Sequence, residues 1–311
     1  MNKRAVFLSV ISAAGIAWAS SAAQAADAFV QDDDTIRFIF ESQSSYVFLN
    51  GNAVDSPEDD SYSTTAGVAR LNFNMGNGFN LQGDAFGEYA WLKSSAEDSY
   101  LSTLGGGLHA YMRGDTGALG VYGALADVGI ETSGGGETHT IGVEGQWYAG
   151  DATVGAQAGF LDSDHSDNDM IRDAFYVRGL ARYYFGENTL VQAEAAYLKG
   201  EMDVDNDDIK IISLGARLQH ELDFFPGDFD WPGKVYIAYR GDFADQANED
   251  DHVNSHTILF GTAATHGVNA ALYKKLPFDV EADFTPISTI VDVSNVLAVN
   301  PEALDVKTVR E

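Results

Sequence analysis

The sequence contains no cysteine. That excludes disulfide staples, thiolate metal ligation and thiol catalysis, so a chain of 311 residues must gain its stability from strand pairing or packing. Proline is also scarce, with 6 residues against 32 glycines, a balance that suits long uninterrupted strands joined by tight turns. Basic residues are few: 18 Lys and Arg stand against 47 Asp and Glu, for a formal charge of −29. Nucleic acid is excluded as a partner on this ground, because phosphate binding needs clustered cations. After the N-terminal segment no run of about 18 apolar residues occurs, so there is no candidate transmembrane helix. The longest late stretch, Ile287 to Val299, is interrupted by Asp292 and Asn295.

What is present begins with the first residues. Asn2-Lys3-Arg4 form a basic start, Ala5 to Ala19 a mainly apolar run, and Ala23-Gln24-Ala25 a small-residue cleavage site. Residues 1–25 therefore read as a signal peptide for export by the Sec pathway, with a mature chain from Ala26. Loss of Lys3 and Arg4 takes the formal charge from −29 to −31.

From Thr35 to about His266 the chain alternates with period two. In Phe79 to Trp91, Phe79, Leu81, Ala85, Tyr89 and Trp91 share one face, while Asn80, Gln82, Asp84 and Glu88 share the other. Side chains alternate across a strand, so such a segment has an apolar and a polar face. Similar segments are predicted near 35–49, 65–75, 79–92, 100–112, 118–131, 137–149, 152–162, 173–185, 189–200, 208–222, 233–244 and 254–266. Facing is ambiguous near 100–112 and 118–131, where glycine dilutes the contrast. Gly105 to Gly107 read as strand kinks and Gly134 to Gly136 as a turn, since neither has the spacing of a dinucleotide loop.

A soluble sandwich also has one apolar face. Three features favour a membrane barrel. The segments run about 10–13 residues, longer than ordinary strands and long enough to cross a bilayer when tilted. Tight connections such as Gly76-Asn77-Gly78 and Ala149-Gly150-Asp151 alternate with longer ones such as Gly51 to Ser63 and Asp245 to Asn254. Aromatic residues gather at both ends: Phe79, Trp147, Tyr148, Tyr183, Phe185, Phe225 and Trp231 beside the tight turns, and Tyr46, Phe48, Tyr89, Trp91 and Tyr197 towards the long loops. The fold class expected is all-β: a transmembrane antiparallel up-and-down β-barrel of about twelve strands over 26–266.

With its signal peptide, acidic long loops, alternating strands and aromatic girdles, the chain resembles bacterial outer-membrane porins and porin-like barrels. The likeness is architectural. It implies the outer membrane as location, its lipid and lipopolysaccharide as surroundings, and passage through the barrel-assembly machinery. Such barrels usually end on an aromatic residue, whereas this chain ends at Glu311. Either the barrel closes near His266 and residues 267–311 form a C-terminal tail, or Leu272 to Phe278 adds a final strand. The tail reads as a periplasmic extension or a partial plug of the lumen.

The polar faces supply the lumen residues: Arg37, Arg70, Arg178, Arg182, Arg217 and Arg240, against Glu41, Asp84, Glu88, Glu144 and Glu194. Their near-balance fits either a water-filled channel with opposed charged walls or a lumen filled by ion pairs. The excess acid lies in the long loops, where Asp59, Asp60, Asp162, Asp164, Asp167, Asp169, Asp203, Asp205, Asp207, Asp208, Asp250 and Asp251 form an acidic rim. Oxygen-rich loops attract hard cations, but Asp203 to Asp207 fails the calcium-loop pattern: Asp208 occupies the glycine position and Leu214 the closing glutamate position. No metal site, cofactor or catalytic residue is assigned. His165 beside Asp164 and His252 beside Asp251 are the candidates for a rim hydrolase, and His139 for a lipase-like site on the outer face. The function expected is passive diffusion of small hydrophilic solutes or cations through an acidic, cation-favouring mouth. The alternative is a closed barrel that acts as a surface binding or structural protein.

Overall fold

The computed structural model describes residues 36–51, 61–93, 98–130, 134–164, 171–185, 188–202, 208–222, 233–246 and 252–267. Every element among them is a strand: β1 (Ile36–Gly51), β2 (Ser61–Asn74), β3 (Phe79–Lys93), β4 (Asp98–Gly114), β5 (Gly117–Ile130), β6 (Gly134–Ala149), β7 (Ala152–Ser163), β8 (Ile171–Phe185), β9 (Thr189–Met202), β10 (Asp208–Leu222), β11 (Gly233–Gln246) and β12 (His252–Gly267). Each strand pairs antiparallel with its sequence neighbours, and β12 pairs with β1, so the sheet closes with no edge. Closure satisfies every strand's backbone donors and acceptors internally, the condition for crossing a lipid layer. The last ladder runs from Arg37 against Gly267 to Gly51 against Val253. Closure is thus made by the strand that ends at Gly267; residues 1–35, 268–311 and the proposed Leu272 to Phe278 strand lie outside the described residues.

Following paired residues once around from β3 returns to β3 about 14 residues farther along. With a rise of about 3.3 Å per residue and strands about 4.8 Å apart, that stagger sets a tilt near 40° and a backbone diameter of about 24 Å.

The outer face is apolar. Leu104, Leu108, Leu119, Val121, Leu125, Ile141, Val143, Val154, Phe160, Val177, Ile212, Leu214 and Ile237 all project outward and are exposed. In water this continuous belt would be a severe aggregation liability; against hydrocarbon it is the favourable surface. Trp147, Tyr183 and Phe185 flank it at the tight-turn end, and Tyr46, Phe48 and Trp91 at the other. Tyr148 departs from the expected girdle. It follows Glu144 and Gln146 in parity, points inward, and packs on Tyr111 and Ala118 with the Arg113 guanidinium 5.3 Å from its ring centroid. Phe225 and Trp231 lie outside the described residues.

The turns explain the alternation of connections. Between β2 and β3, Gly76, Asn77 and Gly78 all have positive φ, at 84°, 55° and 78°. Glycine and asparagine are the residues that tolerate that region. The amide of Phe79 donates to the Gly76 carbonyl at 3.0 Å, which closes the turn. On this end the β10–β11 connection, residues 223–232, is longer than the others.

Inside, glycines and aromatic rings are matched across strands. Phe86 faces Gly105, Tyr122 faces Gly142, Tyr176 faces Gly159 and Tyr236 faces Gly261 in the register. Each ring lies over its glycine; a Cβ at Gly261 would meet Tyr236 Cζ at 2.1 Å, and one at Gly105 would meet Phe86 Cζ at 2.2 Å. This gives the glycines of β4, β6, β7 and β12 a packing role, and places Gly134 to Gly136 in strand β6 instead of a turn. Gly261→Ala should therefore cost about 1–3 kcal/mol through displacement of Tyr236. Gly179, with nothing within 4 Å of its would-be Cβ, is the control. Urea midpoints in lipid vesicles should fall for the first and stay unchanged for Gly179→Ala.

Candidate functional site: the lumen

Inward side chains form three tiers once the stagger of the strands is taken into account. Nearest the short turns are amides and phenols, including Asn72, Asn80, Gln82, Tyr111 and Tyr184, all buried. Here the Asn72 side-chain amide donates to the Tyr111 hydroxyl. Nearest the long loops are hydroxyls (Thr64, Thr138, Ser163, Ser255) interleaved with aliphatics (Val47, Leu49, Leu161, Leu198, Ile209, Ile211).

Between them, at mid-height, ionisable groups encircle the lumen. Their signs alternate around the circumference: Glu41 on β1, Arg70 on β2, Asp84 on β3, His109 on β4, Glu144 on β6, Arg178 on β8, Glu194 on β9 and Arg217 on β10. Arg70 Nη1 lies 3.8 Å from Glu41 Oε1, and Arg70 faces Asp84 across the β2–β3 register. His109 Nε2 is 3.1 Å from Asp84 Oδ2, and its Nδ1 is 2.7 Å from Glu144 Oε1. Gln157 Nε2 donates to Glu144 Oε2 at 2.9 Å and its Oε1 accepts from Arg178 Nη1 at 3.1 Å. Arg178 also pairs with Glu194. Arg217 Nη2 lies 4.0 Å from the same Glu41 Oε1 and closes the circle. Its guanidinium stacks 3.6 Å over the Tyr236 ring, whose hydroxyl donates to Gln43 Oε1 at 3.1 Å. β12 adds only the small Gly261 and Ala263 here; Tyr236 of β11 lies over Gly261, and Arg217 reaches Glu41 across that ring.

Such burial demands pairing, because an isolated charge in this setting would be strongly disfavoured. The side chains of His109, Asp84 and Glu144 are 0% exposed. A carboxylate oxygen only accepts, so both His109 nitrogens donate and the ring is an imidazolium. With neither nitrogen lone pair free, His109 is not available to a metal ion.

The sequence-assigned lumen residues divide accordingly. Arg70, Arg178, Arg217, Glu41, Asp84, Glu144 and Glu194 meet in the ring. Arg182 lies one step nearer the short turns and donates through Nε to Gln192 Oε1 at 3.0 Å. Arg240 lies nearer the long loops, bound through Nε to Asp242 Oδ1 at 2.8 Å, with Ser255 Oγ donating to Asp242 Oδ2 at 3.1 Å. Glu88 is inward and buried; the Arg37 side chain is outside the described residues. Sequence reasoning missed His109, Asp242 and Lys234, all inward and buried. Parity with Thr103 and Tyr111 would have placed His109, had Gly105 to Gly107 not erased the contrast in β4.

Of the acidic rim, Asp162, Asp164 and Asp208 are described, whereas Asp59, Asp60, Asp167, Asp169, Asp203, Asp205, Asp207, Asp250 and Asp251 lie outside the described residues. Asp162 and Asp208 sit on the exterior face rather than at the lumen mouth, because their neighbours Leu161 and Ile209 take the inward positions. Asp208 pairs with Lys199 at 3.1 Å, and Asp162 Oδ1 accepts from the Asp173 amide at 3.3 Å, where the β8–β9 register shifts between Arg172 and Phe175. His139 also faces outward, 3.9 Å from Asp162, with both side chains about half exposed. His165, Asp251 and the His252 side chain are outside the described residues.

No protein-family model matches the chain, and no curated protein matches it. Among solved structures it is similar to the KdgM porin in complex with disordered oligogalacturonate (13% identity, 72% of this chain and 98% of that one, TM-score 0.39). It is similar also to the translocator domain of the autotransporter NalP from Neisseria meningitidis (14% identity, 75% and 89% covered, TM-score 0.48). A third is an outer-membrane channel from Pseudomonas putida F1 (10% identity, 77% and 97% covered, TM-score 0.49). The solved structures to which this closed twelve-strand barrel is similar are thus bacterial outer-membrane β-barrel proteins.

Proposed function

We propose that the protein is a narrow outer-membrane channel for passive diffusion of small hydrophilic solutes, with an acidic, cation-favouring mouth. The observation that carries this reading is the inversion of polarity: an apolar exterior encloses a lumen lined through its middle by charged and amide side chains. With backbones about 24 Å apart and long side chains reaching inward about 6–7 Å from each wall, the passage at the ring is roughly 10 Å or less. The reading includes Sec-dependent export, a periplasmic 267–311 tail, and lipopolysaccharide around the exterior. The long loops, where most of the acidic excess resides in the sequence, would concentrate cations by electrostatic focusing.

The near-complete burial of the ring favours a second reading, a closed barrel that serves as a surface binding or structural protein. Planar-bilayer recording separates the two. The channel reading expects discrete steps of small conductance, with cations preferred at low salt and less so at high salt, as screening shortens the reach of the rim. Refolded protein that inserts into the bilayer and gives no steps would establish the closed barrel instead.

A further inference from the structure

We propose that His109 is a selectivity-determining residue of this channel: as an imidazolium held between two carboxylates it balances the mid-lumen ring and makes the constriction electrically neutral overall. The inference rests on the channel reading above and goes beyond it by assigning the sign of the constriction separately from that of the mouth. Four carboxylates alternate with Arg70, Arg178 and Arg217 around the ring. With His109 counted as neutral the ring would carry one excess negative charge.

The geometry counts it as a cation. His109 Nδ1 and Nε2 lie 2.7 Å from Glu144 and 3.1 Å from Asp84, and both acceptors are carboxylates. The other groups around it leave that assignment intact. From β5 the Tyr122 ring lies beside the imidazole, with centroids 5.7 Å apart. From β3 Gln82 donates to Asp84 at 2.9 Å, and from β7 Gln157 donates to Glu144 at 2.9 Å, so both amides hold the carboxylates as acceptors. Arg178 approaches through Gln157, and Arg70 faces Asp84 in the register. Off the ring, the buried charges among the described residues are Arg182, Lys234 and Arg240 against Glu88 and Asp242, with Arg240 bound to Asp242, so the neutral balance is that of the ring itself. Alternating charges at close spacing cancel over a short distance, so an ion on the axis meets little net field. Any cation preference then comes from the loops, and the ring sets only size.

The test is the reversal potential of the full chain in planar bilayers under a KCl gradient. His109→Gln leaves the ring one charge negative and should raise the cation-over-anion permeability ratio roughly threefold to tenfold. His109→Arg keeps the cation and should return the ratio towards that of the unmodified protein. Asp84→Asn removes an acidic member, leaves His109 bonded to Glu144, and should move the ratio in the opposite direction. Channels of His109→Gln with an unchanged ratio, or His109→Gln and Asp84→Asn shifting the same way, would overturn the proposal. Should His109→Gln not insert, His109→Arg decides: a ratio equal to that of the unmodified protein supports the proposal, and a ratio shifted towards anions overturns it. Absence of conductance in the unmodified protein overturns the channel reading itself, a distinct outcome.

Discussion

Arg178→Met is expected to lower the stability of the barrel by about 3–5 kcal/mol, the largest single effect anticipated within the lumen. Arg178 joins two stretches of the ring, with one nitrogen on Gln157 at 3.1 Å and another on Glu194. Methionine keeps much of the volume and removes the charge. Glu194, whose side chain is 3% exposed, would then be a buried carboxylate without its cation. Removing one member of a buried pair costs far more than the pair contributes, because the remaining charge keeps its desolvation penalty. The measurement is the urea unfolding midpoint in lipid vesicles, followed by tryptophan fluorescence and gel mobility of heated and unheated samples. The double variant Arg178→Met with Glu194→Gln should recover a large part of the loss. A single variant as stable as the unmodified protein would show that water reaches Glu194 freely, and hence that the lumen is wide at this level.

Val143→Arg carries the second large effect, and it tests the membrane directly. Val143 points outward from the middle of β6 and is 55% exposed, one residue before the inward Glu144. An arginine near the bilayer midplane on the lipid face costs about 2–4 kcal/mol. In water the same substitution at an exposed strand position would change stability by about 0.5 kcal/mol or less. The two environments therefore give different answers for one residue. The expected result is a loss of about 2–4 kcal/mol in vesicles and a smaller one for an arginine at the interface, for example Phe185→Arg. Equal, negligible effects at both positions would be incompatible with a membrane-spanning barrel.

The contrast between neighbours such as Val143 and Glu144 shows why much of the architecture was legible. Period-two alternation is a local property: each strand states its own two faces within a dozen residues. Twelve alternating stretches punctuated by turns therefore indicated twelve strands, and the observed bounds depart from the expected ones by a few residues. Gly76-Asn77-Gly78 could be read as a turn because three positive φ values need residues that accept them. In β4 the same signal failed, since glycine at 105, 106 and 107 has no side chain to report a face, and His109 went unassigned with it. Tyr148 was misplaced for a related reason: an aromatic residue beside a tight turn looks like a girdle residue until the parity of its strand is fixed.

The sequence by itself determined the strand pattern, the apolar exterior and the list of charges available to the lumen, because all three depend on residues near one another in the chain. Only the tertiary structure decided which charges meet. Glu41 and Arg217 come together because closure brings β1 and β10 near one another, with Gly261 and Ala263 of β12 and the Tyr236 ring of β11 between them. The stagger of about 14 residues selects which inward side chain of each strand stands at the same height. Alternation cannot encode that offset, since slipping one strand by two residues keeps every face and changes every neighbour.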